Sequence, residues 1–227
     1  LATPTALMVG VGLGARSGIL IKNAAALERA ERIDALVVDK TGTLTMGAPS
    51  LVGVHPAAGF TGGELLLLAL SLEQGAAHPL ARAIVKRAEA FEMKPLPIEN
   101  VRVHAGRGVS GDNGPQTIRL GSPAFLAESG VAIDEVGLAR VQAAGQTVVG
   151  VAEGPKIVGW ITLVDALRAG AAAAVAALER IGIGVTMLTG DHPASAAAVA
   201  RNAGIDHWLA EQLPQDKRAA IIAMQKQ

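Results

Sequence analysis

The sequence predicts an α/β fold in which two separate pieces of chain build one parallel sheet, with a mixed α+β domain inserted between them. Short apolar segments alternate with helical patterns in residues 31–48 and 157–227, and such alternation is typical of parallel strands joined by crossover helices. Residues 49–156 instead carry several strand patterns separated by glycine-rich turns. We therefore predict a discontinuous α/β domain, an inserted domain, and a leading segment of residues 1–30.

The overall composition argues against several classes of function. The 227 residues include 20 basic and 20 acidic side chains, and this balance argues against a nucleic-acid partner, which needs a basic surface. The absence of cysteine excludes disulfides and thiolate metal sites. Apolar residues make up 50% of the chain but aromatic residues only 2%, so we expect a core of closely packed Ala, Leu, Val and Ile.

The leading segment is too short for a complete membrane span. A span needs about 20 mainly apolar residues, whereas the apolar, glycine-rich run covers only Leu1–Ala15. Residues Ile19–Arg32 place charged side chains at helical spacing and predict a helix. Because the chain begins without Met and ends within a helical pattern at Gln227, we expect it to be part of a longer protein.

The remaining elements follow from apolar periodicity and turn residues. Residues Asp34–Asp39 form a short apolar run that predicts a buried strand leading to a loop rich in Thr and Gly. Further strands are predicted at Ser50–His55, Ile98–Val103, Gly108–Asp112, Thr117–Gly121, Thr147–Glu153, Lys156–Leu163, Gly184–Leu188 and Asp206–Leu209. Further helices are predicted at Gly62–Glu73, His78–Ala90, Pro123–Ser129, Asp134–Ala144, Leu167–Ile181, His192–Ala203 and Pro214–Met224.

One glycine-rich run has two interpretations. Residues Gly10–Ala15, GVGLGA, fit the dinucleotide-binding pattern G-x-G-x-x-G/A. That pattern needs a strand before it and a helix that opens at it, and residues 4–9 are at best a weak strand. Glycines that allow close helix packing in a membrane explain the run equally well, and we favour this second interpretation.

The strongest functional signal lies in residues 39–45, DKTGTLT. A carboxylate at the carboxyl end of a parallel strand lies where α/β sheets place their active sites, and carboxylates can form aspartyl-phosphate intermediates. The hydroxyls and the glycine backbone that follow Asp39 suit phosphate oxygens. A lone D-x-T would more often be a polar turn, but a long motif after a predicted buried strand is specific.

This motif resembles the phosphorylation motif of P-type ATPases, which have a Rossmann-like, haloacid-dehalogenase-like fold, and the resemblance extends over essentially the whole chain. The segment 189–191, TGD, resembles the family's second phosphate-binding motif, and Asp165 its hinge aspartate. By this resemblance Asp39 attacks the γ-phosphate of ATP, Thr189 donates a hydrogen bond, and Lys217 offsets negative charge. The implied catalytic group comprises Asp39, Lys40, Thr41, Thr189, Gly190, Asp191 and Lys217.

The resemblance also implies Mg²⁺ at the phosphate oxygens, with Asp39 and Thr41 among its ligands. The family's Gly-Asp-Gly-x-Asn-Asp motif, which helps to hold Mg²⁺, does not occur in this sequence. We therefore expect the chain alone to bind Mg²⁺ poorly and to phosphorylate slowly or not at all. Apart from His78, the histidines have no metal-ligand spacing and are expected at the surface or in loops. They are His55, His104, His192 and His207.

Position 41 separates a pump from a phosphatase. Soluble phosphatases of this fold carry a second Asp, a general acid/base, two positions after the nucleophile. The residue here is Thr41. Without that acid/base, hydrolysis of an acyl phosphate should be slow, and a long-lived phosphoenzyme suits a pump that must change shape first.

The inserted domain carries a second group of residues, which resembles the nucleotide site of the heavy-metal branch of these ATPases. Its members are Glu73, His78 before Pro79, and the glycines of Gly106-Arg107-Gly108. The resemblance implies that Glu73 and His78 contact adenine and that Gly106 and Gly108 let backbone approach the nucleotide. We group Asp165 with these nucleotide-binding residues. The branch usually has a Gly-Asn pair later in this domain, whereas Ser122 follows Gly121 here.

The beginning of the chain bears on the transported metal. Residues Leu1–Ala6 resemble the segment after the metal-binding Cys-Pro-Cys of copper transporters, and Gly18–Lys22 match the family's exit from the membrane. We therefore favour copper(I), with a zinc/cadmium pump as the alternative. The implied protein is multi-pass in the cell membrane, with this portion cytoplasmic. The other hypotheses are a non-catalytic ATP-binding module and, less favoured, a soluble phosphatase.

Overall fold

A computed structural model describes residues 2–21 and 23–225. The predictions that fall on Leu1, Lys22 and Gln227 lie outside these residues. The helices are α1 Ala2–Arg16, α2 Ala24–Ala30, α3 Gly62–Glu73, α4 Pro79–Glu89, α5 Pro123–Glu128, α6 Glu135–Gln142, α7 Ala171–Arg180, α8 Pro193–Ala203 and α9 Pro214–Met224. The strands are β1 Ala35–Asp39, β2 Ser50–Pro56, β3 Glu99–His104, β4 Gly108–Asn113, β5 Gln116–Gly121, β6 Thr147–Glu153, β7 Lys156–Val164, β8 Gly184–Leu188 and β9 His207–Leu209.

Three strands form a parallel sheet in the order β1-β8-β9. The pairing of β1 with β8 ends with Asp39 opposite Leu188, so Asp39 lies at the carboxyl edge of the sheet. The apolar side chains of β8 pack against Val175 of α7 and Ala196 of α8. This sheet, with helices following its strands, is the parallel unit that the alternating pattern predicts.

The intervening chain forms a six-stranded antiparallel sheet in the order β2-β7-β6-β5-β4-β3. Helices α3 and α4 contribute Leu65 and Ile84, both fully buried, to a core that also contains Ile118 of β5. A second apolar cluster joins Phe125 of α5 to Trp160 of β7. Alternate residues along the strands supply the two clusters, as expected for a sheet that packs helices on both faces.

The position of β7 corrects the predicted domain boundary at residue 157. This strand pairs with β2 and β6 along its length, from Lys156 to Val164, and so belongs to the antiparallel sheet. The apolar pattern of β7 resembles that of a buried parallel strand, but its antiparallel pairing with both β6 and β2 distinguishes the two. We propose that the inserted domain comprises residues 49–164.

Helix α7 also begins later than predicted. The expected start was Leu167, but the helix begins at Ala171. Residues 165–168 are extended instead because they pair with the loop after β1: Leu167 forms a bridge with Thr45, and the Met46 amide donates to the Ala166 carbonyl at 2.9 Å. Residues 165–168, by which the chain returns to the parallel sheet, thus contact the loop that follows Asp39.

The leading segment is helical, which bears on the glycine-rich run. Helix α1 is continuous through Gly10–Ala15, so the turn that a dinucleotide site requires does not form there, and that alternative is rejected. The predicted helix over Ile19–Arg32 is shorter than expected, because the Asn23 side chain caps a helix that ends at Ala30. None of the helices within residues 2–21 and 23–225 is both long enough and apolar enough to cross a membrane.

Candidate active site

Asp39 and Lys217 meet at the carboxyl edge of the parallel sheet. Lys217 lies near the start of α9, and its Nζ is 2.5 Å from Asp39 Oδ1. The Asp39 side chain is 45% exposed and the Lys217 side chain 30%, so the pair faces solvent. An ion pair this open contributes little to stability. Its arrangement instead presents a carboxylate to solvent beside a cation that could compensate additional negative charge.

The loop after Asp39 reverses the chain sharply. Gly42 has φ +75°, a backbone conformation that favours glycine. Its amide donates to the buried Thr45 hydroxyl at 3.3 Å, and Arg168 donates to the Gly42 carbonyl at 3.0 Å. Thr41 lies at the exposed tip of this loop. The contribution of Arg168 was not predicted, because it depends on the return of the chain and carries no motif of its own.

Asp165 connects the two segments by which the chain passes between the domains. Its carboxylate accepts hydrogen bonds from the Thr45 hydroxyl at 2.5 Å, the Gly47 amide at 3.1 Å and the Ala48 amide at 3.2 Å. These contacts place it at the junction of the domains, where the resemblance puts a hinge aspartate. They also occupy both carboxylate oxygens, so a role for Asp165 in nucleotide binding remains a prediction.

A second ion pair joins Lys40 to Asp191. Lys40 is 4% exposed, and its ammonium group contacts the Asp191 carboxylate. Asp191 also accepts hydrogen bonds from Ser195 of α8 at 3.1 Å and from Thr147 of β6 at 3.3 Å. Because a buried charge needs a partner, Asp191 fixes Lys40 immediately beside Asp39.

The segment 189–191, TGD, lies directly after β8. Thr189 is 1% exposed, and its hydroxyl accepts from the Asp191 amide at 3.1 Å. A hydroxyl that accepts one hydrogen bond still has its own proton to donate. Gly190 has room around it, since an added Cβ would lie 3.5 Å from the nearest atom, the Gln212 carbonyl oxygen.

Glu73 and His78 form a pair in the antiparallel domain. Glu73 is 2% exposed, and His78 Nε2 lies 3.0 Å from its Oε2. His78 is the N-cap of α4, where its Nδ1 accepts from the Ala81 amide at 3.2 Å. The bond at Nδ1 leaves the proton on Nε2, which donates to Glu73. Burial raises the pKa of the Glu73 carboxyl, and the neighbouring His78 lowers it by a smaller amount.

Of the two predicted glycines, Gly108 lies close to the backbone of the next strand, whereas an added Cβ at Gly106 would meet no atom within 4 Å. Gly106 has φ +71° in the turn between β3 and β4. Gly108 lies opposite Gly121 in the sheet, and an added Cβ at Gly108 would be 2.8 Å from the Gly121 Cα. The ring of Phe125 packs against Gly108 and Gly121. Close packing therefore requires glycine at position 108, and the positive φ favours glycine at position 106.

A cleft of about 1390 Å³ brings several of these residues together. Its lining includes four predicted residues of the antiparallel domain, Glu73, His78, Gly106 and Gly108. From the parallel domain it includes Gly190 and Asp191. Drug-sized ligands occupy pockets of about 300–1,000 Å³, so the cleft has room for a nucleotide.

Other predicted residues lie away from this cleft. Asp39, Thr41 and Lys217 are not among its described lining residues, so the structure forms the Asp39–Lys217 pair and the cleft as separate groups. The histidines His55, His192 and His207 are exposed, as expected, but His104 is half-buried in β3, 4.8 Å from the Phe125 ring centroid.

The donor set at Asp39 fits a weakly held Mg²⁺. In the part of the chain that the structure describes, no three His, Asp or Glu side chains are placed to hold a metal ion. Mg²⁺, however, is often bound through one or two carboxylates, with waters and substrate phosphates completing its shell. The exposed carboxylate of Asp39 can supply one such carboxylate ligand.

Comparison with known proteins defines the class of this chain. The haloacid dehalogenase-like hydrolase family matches residues 33–227, and the chain belongs to that family. The predicted fold, a parallel α/β sheet with a second, inserted domain, is thereby confirmed.

Over almost its whole length the chain is also similar to heavy-metal P-type ATPases. It is 41% identical over 231 residues to the silver exporting P-type ATPase of Salmonella typhimurium, which covers 99% of this chain and 27% of that protein. It is 40% identical over 229 residues to the copper-exporting P-type ATPase of Vibrio cholerae, covering 100% of this chain and 25% of that protein. The crystal structure of a zinc-transporting PIB-type ATPase in its E2.Pi state aligns with a TM-score of 0.66 and 39% identity, covering 99% of this chain and 36% of that one. The chain thus spans about a quarter to a third of the length of these relatives.

Proposed function

We propose that this chain forms the phosphorylation and nucleotide-binding portion of a heavy-metal-transporting P-type ATPase, and that Asp39 accepts the γ-phosphoryl group of ATP. The observation that carries the proposal is the placement of Asp39 at the carboxyl edge of the parallel sheet, within DKTGTLT and 2.5 Å from Lys217. The similarity to P-type ATPases over 99–100% of the chain supports the same assignment.

In the proposed reaction an Asp39 carboxylate oxygen attacks the γ-phosphorus of ATP. A bond forms between that oxygen and phosphorus, the bond to the β–γ bridging oxygen breaks, and ADP leaves with the electron pair. Lys217 compensates the charge of the transferred group, and Thr189 donates to one of its oxygens. Asp39 and Thr41 would hold Mg²⁺, which neutralises charge on the phosphate oxygens when bound. Thr41 in place of an acid/base leaves the acyl phosphate long-lived.

The nucleotide is proposed to bind in the cleft. Glu73 and His78 provide a polar pair on the side of the antiparallel domain, and Asp39 lies outside the cleft lining. The inserted domain must therefore move to present the γ-phosphate to Asp39. Phosphorylation would then bias the membrane part between two states through differential contacts.

Copper(I) is the proposed transported ion. The support is the likeness of residues 1–6 to the segment after Cys-Pro-Cys in copper transporters, together with the similarity to silver- and copper-exporting ATPases. A zinc/cadmium pump is the second candidate, because the solved zinc-transporting ATPase is 39% identical.

Acid-stable labelling tests the proposal. The chain, alone and within the multi-pass protein that the proposal requires, is incubated with γ-labelled ATP and Mg²⁺, with copper(I), with zinc or with neither. Each sample is then quenched in acid and treated with hydroxylamine. We expect hydroxylamine-sensitive label in the multi-pass protein, and little or none in the chain alone, and this label should disappear in Asp39→Asn. The matched control is Asp34→Asn, which removes a carboxylate just before the same strand, and it should keep the label.

The outcomes separate the hypotheses. Label that persists in Asp39→Asn would rule out this aspartate as the acceptor. Label that depends on zinc but not on copper(I) would retain the pump and reject copper. ATP binding without covalent label under any metal, in either form of the protein, would favour a non-catalytic ATP-binding module. Rapid loss of the label without any metal would favour a soluble phosphatase.

A further inference from the structure

The cleft is unbalanced in charge. Its described lining contains the carboxylates of Glu73, Glu128, Glu135, Asp191 and Glu211. Arg107 is the one Arg or Lys among those lining residues. A triphosphate that enters an acidic cleft needs cationic hydrogen-bond donors, and guanidinium groups bind phosphate in a bidentate manner.

We propose that Arg107 binds the triphosphate chain of the nucleotide, and that Glu128 holds its guanidinium when no nucleotide is present. This inference rests on the proposed nucleotide site. It adds to that site a phosphate-binding side chain and a counterion that competes with the ligand. It predicts that the two members of one ion pair act on nucleotide affinity in opposite directions.

The backbone of Arg107 is held firmly in the turn between β3 and β4. Its amide donates to the His104 carbonyl at 2.9 Å, and its carbonyl accepts from the Ser122 amide at 2.9 Å. The flanking residues, Gly106 and Gly108, both line the cleft. This fixed backbone keeps the base of the side chain in place, and the open space at Gly106 leaves room beside it for a ligand.

The guanidinium has contacts that a ligand can exchange. It forms an ion pair with Glu128 and lies 5.9 Å from the centroid of the Phe125 ring. The Arg107 side chain is 48% exposed and that of Glu128 is 63% exposed, so both charges remain solvated. An ion pair of this kind is weak, and a phosphate can replace the carboxylate while the aromatic contact persists.

The alternative is a purely structural pair that ties α5 to the β3–β4 turn. In that case Arg107 and Glu128 would be equivalent, and removing either would lower stability by a similar small amount. Neither change would then distinguish a nucleotide with phosphates from one without. The comparison of ATP with adenosine therefore separates the two roles.

The test measures the affinity of the 227-residue chain for ATP, ADP and adenosine by isothermal titration calorimetry. We expect Arg107→Gln to weaken ATP binding about 10-fold, equivalent to about 1.4 kcal/mol, and to change adenosine binding less than about 2-fold. Arg107→Lys keeps the charge but not the planar fork, and should be intermediate. Glu128→Gln should tighten ATP binding about 2- to 3-fold by removing the competing carboxylate. The matched control is Arg102→Gln, which removes an exposed cation of β3 outside the cleft lining and should leave both affinities unchanged.

Several results would overturn the inference. Equal weakening of ATP and adenosine by Arg107→Gln would show that Arg107 does not contact phosphates. Weaker ATP binding in Glu128→Gln would show that the pair must remain intact, and this arm decides the question even if Arg107→Gln unfolds. If the unaltered chain binds ATP and Arg107→Gln binds it equally well, only the role of Arg107 fails. If the unaltered chain binds no ATP, the proposed nucleotide site fails as well.

Discussion

The pair of buried Glu73 and half-exposed His78 allows the proposed nucleotide site to be tested by measurements of stability alone. His78 contacts Glu73 through Nε2 at 3.0 Å and caps α4 by accepting from the Ala81 amide through Nδ1 at 3.2 Å. The substitution His78→Ala removes both interactions. The substitution His78→Asn keeps a good N-cap residue but is too short to replace the contact with Glu73.

The expected magnitudes follow from these two contacts. Loss of a helix N-cap costs about 1 kcal/mol, and a buried group left without its hydrogen-bond partner costs about 1–3 kcal/mol. We therefore expect His78→Ala to lower the free energy of unfolding by about 2–4 kcal/mol. His78→Asn should lower it by about 1–3 kcal/mol, since only the contact with the 2% exposed Glu73 is lost.

The same pair predicts a dependence on pH. Burial raises the pKa of Glu73 above its ordinary value of 4.5, an effect that His78 only partly opposes. The folded chain therefore binds this proton more tightly than the unfolded chain does. The associated stability is complete below pH 4.5 and is lost as the pH rises through the raised pKa. Glu73→Gln does not titrate, so its free energy of unfolding should increase relative to that of the unaltered chain as the pH rises.

Urea unfolding at several pH values measures these differences. The two tryptophans report separately, because Trp160 lies in the core of the antiparallel domain and Trp208 in β9 of the parallel sheet; a Trp208→Phe background isolates the first signal. Equal stability of His78→Ala and His78→Asn would refute the cap contribution. A difference between Glu73→Gln and the unaltered chain that stays constant with pH would refute the effect of burial on Glu73.

Three further substitutions test other parts of the site. Lys217→Ala should slow phosphorylation of Asp39 by about 100-fold yet change ATP affinity little, because Lys217 lies outside the cleft lining; rapid-quench labelling and calorimetry measure the two effects, and a parallel loss of affinity would contradict the assignment. Asp165→Ala removes the acceptor of three hydrogen bonds at the domain junction and should lower the free energy of unfolding by about 2–3 kcal/mol in urea; an unchanged value would show that the junction does not depend on them. Gly108→Ala places a Cβ 2.8 Å from the Gly121 Cα and should cost about 1–3 kcal/mol by overpacking, measured in the same way; a neutral effect would show that the strands separate easily there.

The sequence predicts those features that depend on neighbours along the chain. The strand that ends at Asp39 follows from a short apolar run, and the start of α4 follows from His78 before Pro79. The assignment of β7 to the wrong domain disregards a local signal, the hairpin with β6 across the turn at Gly154-Pro155. Only the pairing of β7 with β2, about a hundred residues earlier, leaves no local pattern. Both of its faces are buried, so it lacks the alternation that marks an antiparallel strand with one solvated face.

Contacts within the site are likewise not predictable from local sequence. The motif identifies Lys40 and the segment 189–191 separately, but their sequence does not indicate that Lys40 and Asp191 form a buried pair. The pairing of Arg107 with Glu128 is equally unpredictable from the sequence. Both residues have the pattern of ordinary surface charges, and they meet only because the sheet places the β3–β4 turn beside α5. Tertiary contacts determine which charges meet, whereas spacing in the sequence determines only which charges share an element.

The two groups of the site are linked through Asp191, and the nature of that link bears on domain movement. Lys40 is adjacent to Asp39 in the chain and is held by Asp191 within the parallel domain. Among the described residues, Asp191 is linked to the antiparallel domain by one hydrogen bond, donated by the Thr147 hydroxyl at 3.3 Å, which contributes about 0.5–1.5 kcal/mol. Under the proposed function the inserted domain must shift to bring the γ-phosphate to Asp39. Such a shift breaks the weak contact of Thr147 and leaves the buried Lys40–Asp191 pair intact, so the phosphate-accepting edge of the sheet can keep its geometry while the nucleotide arrives.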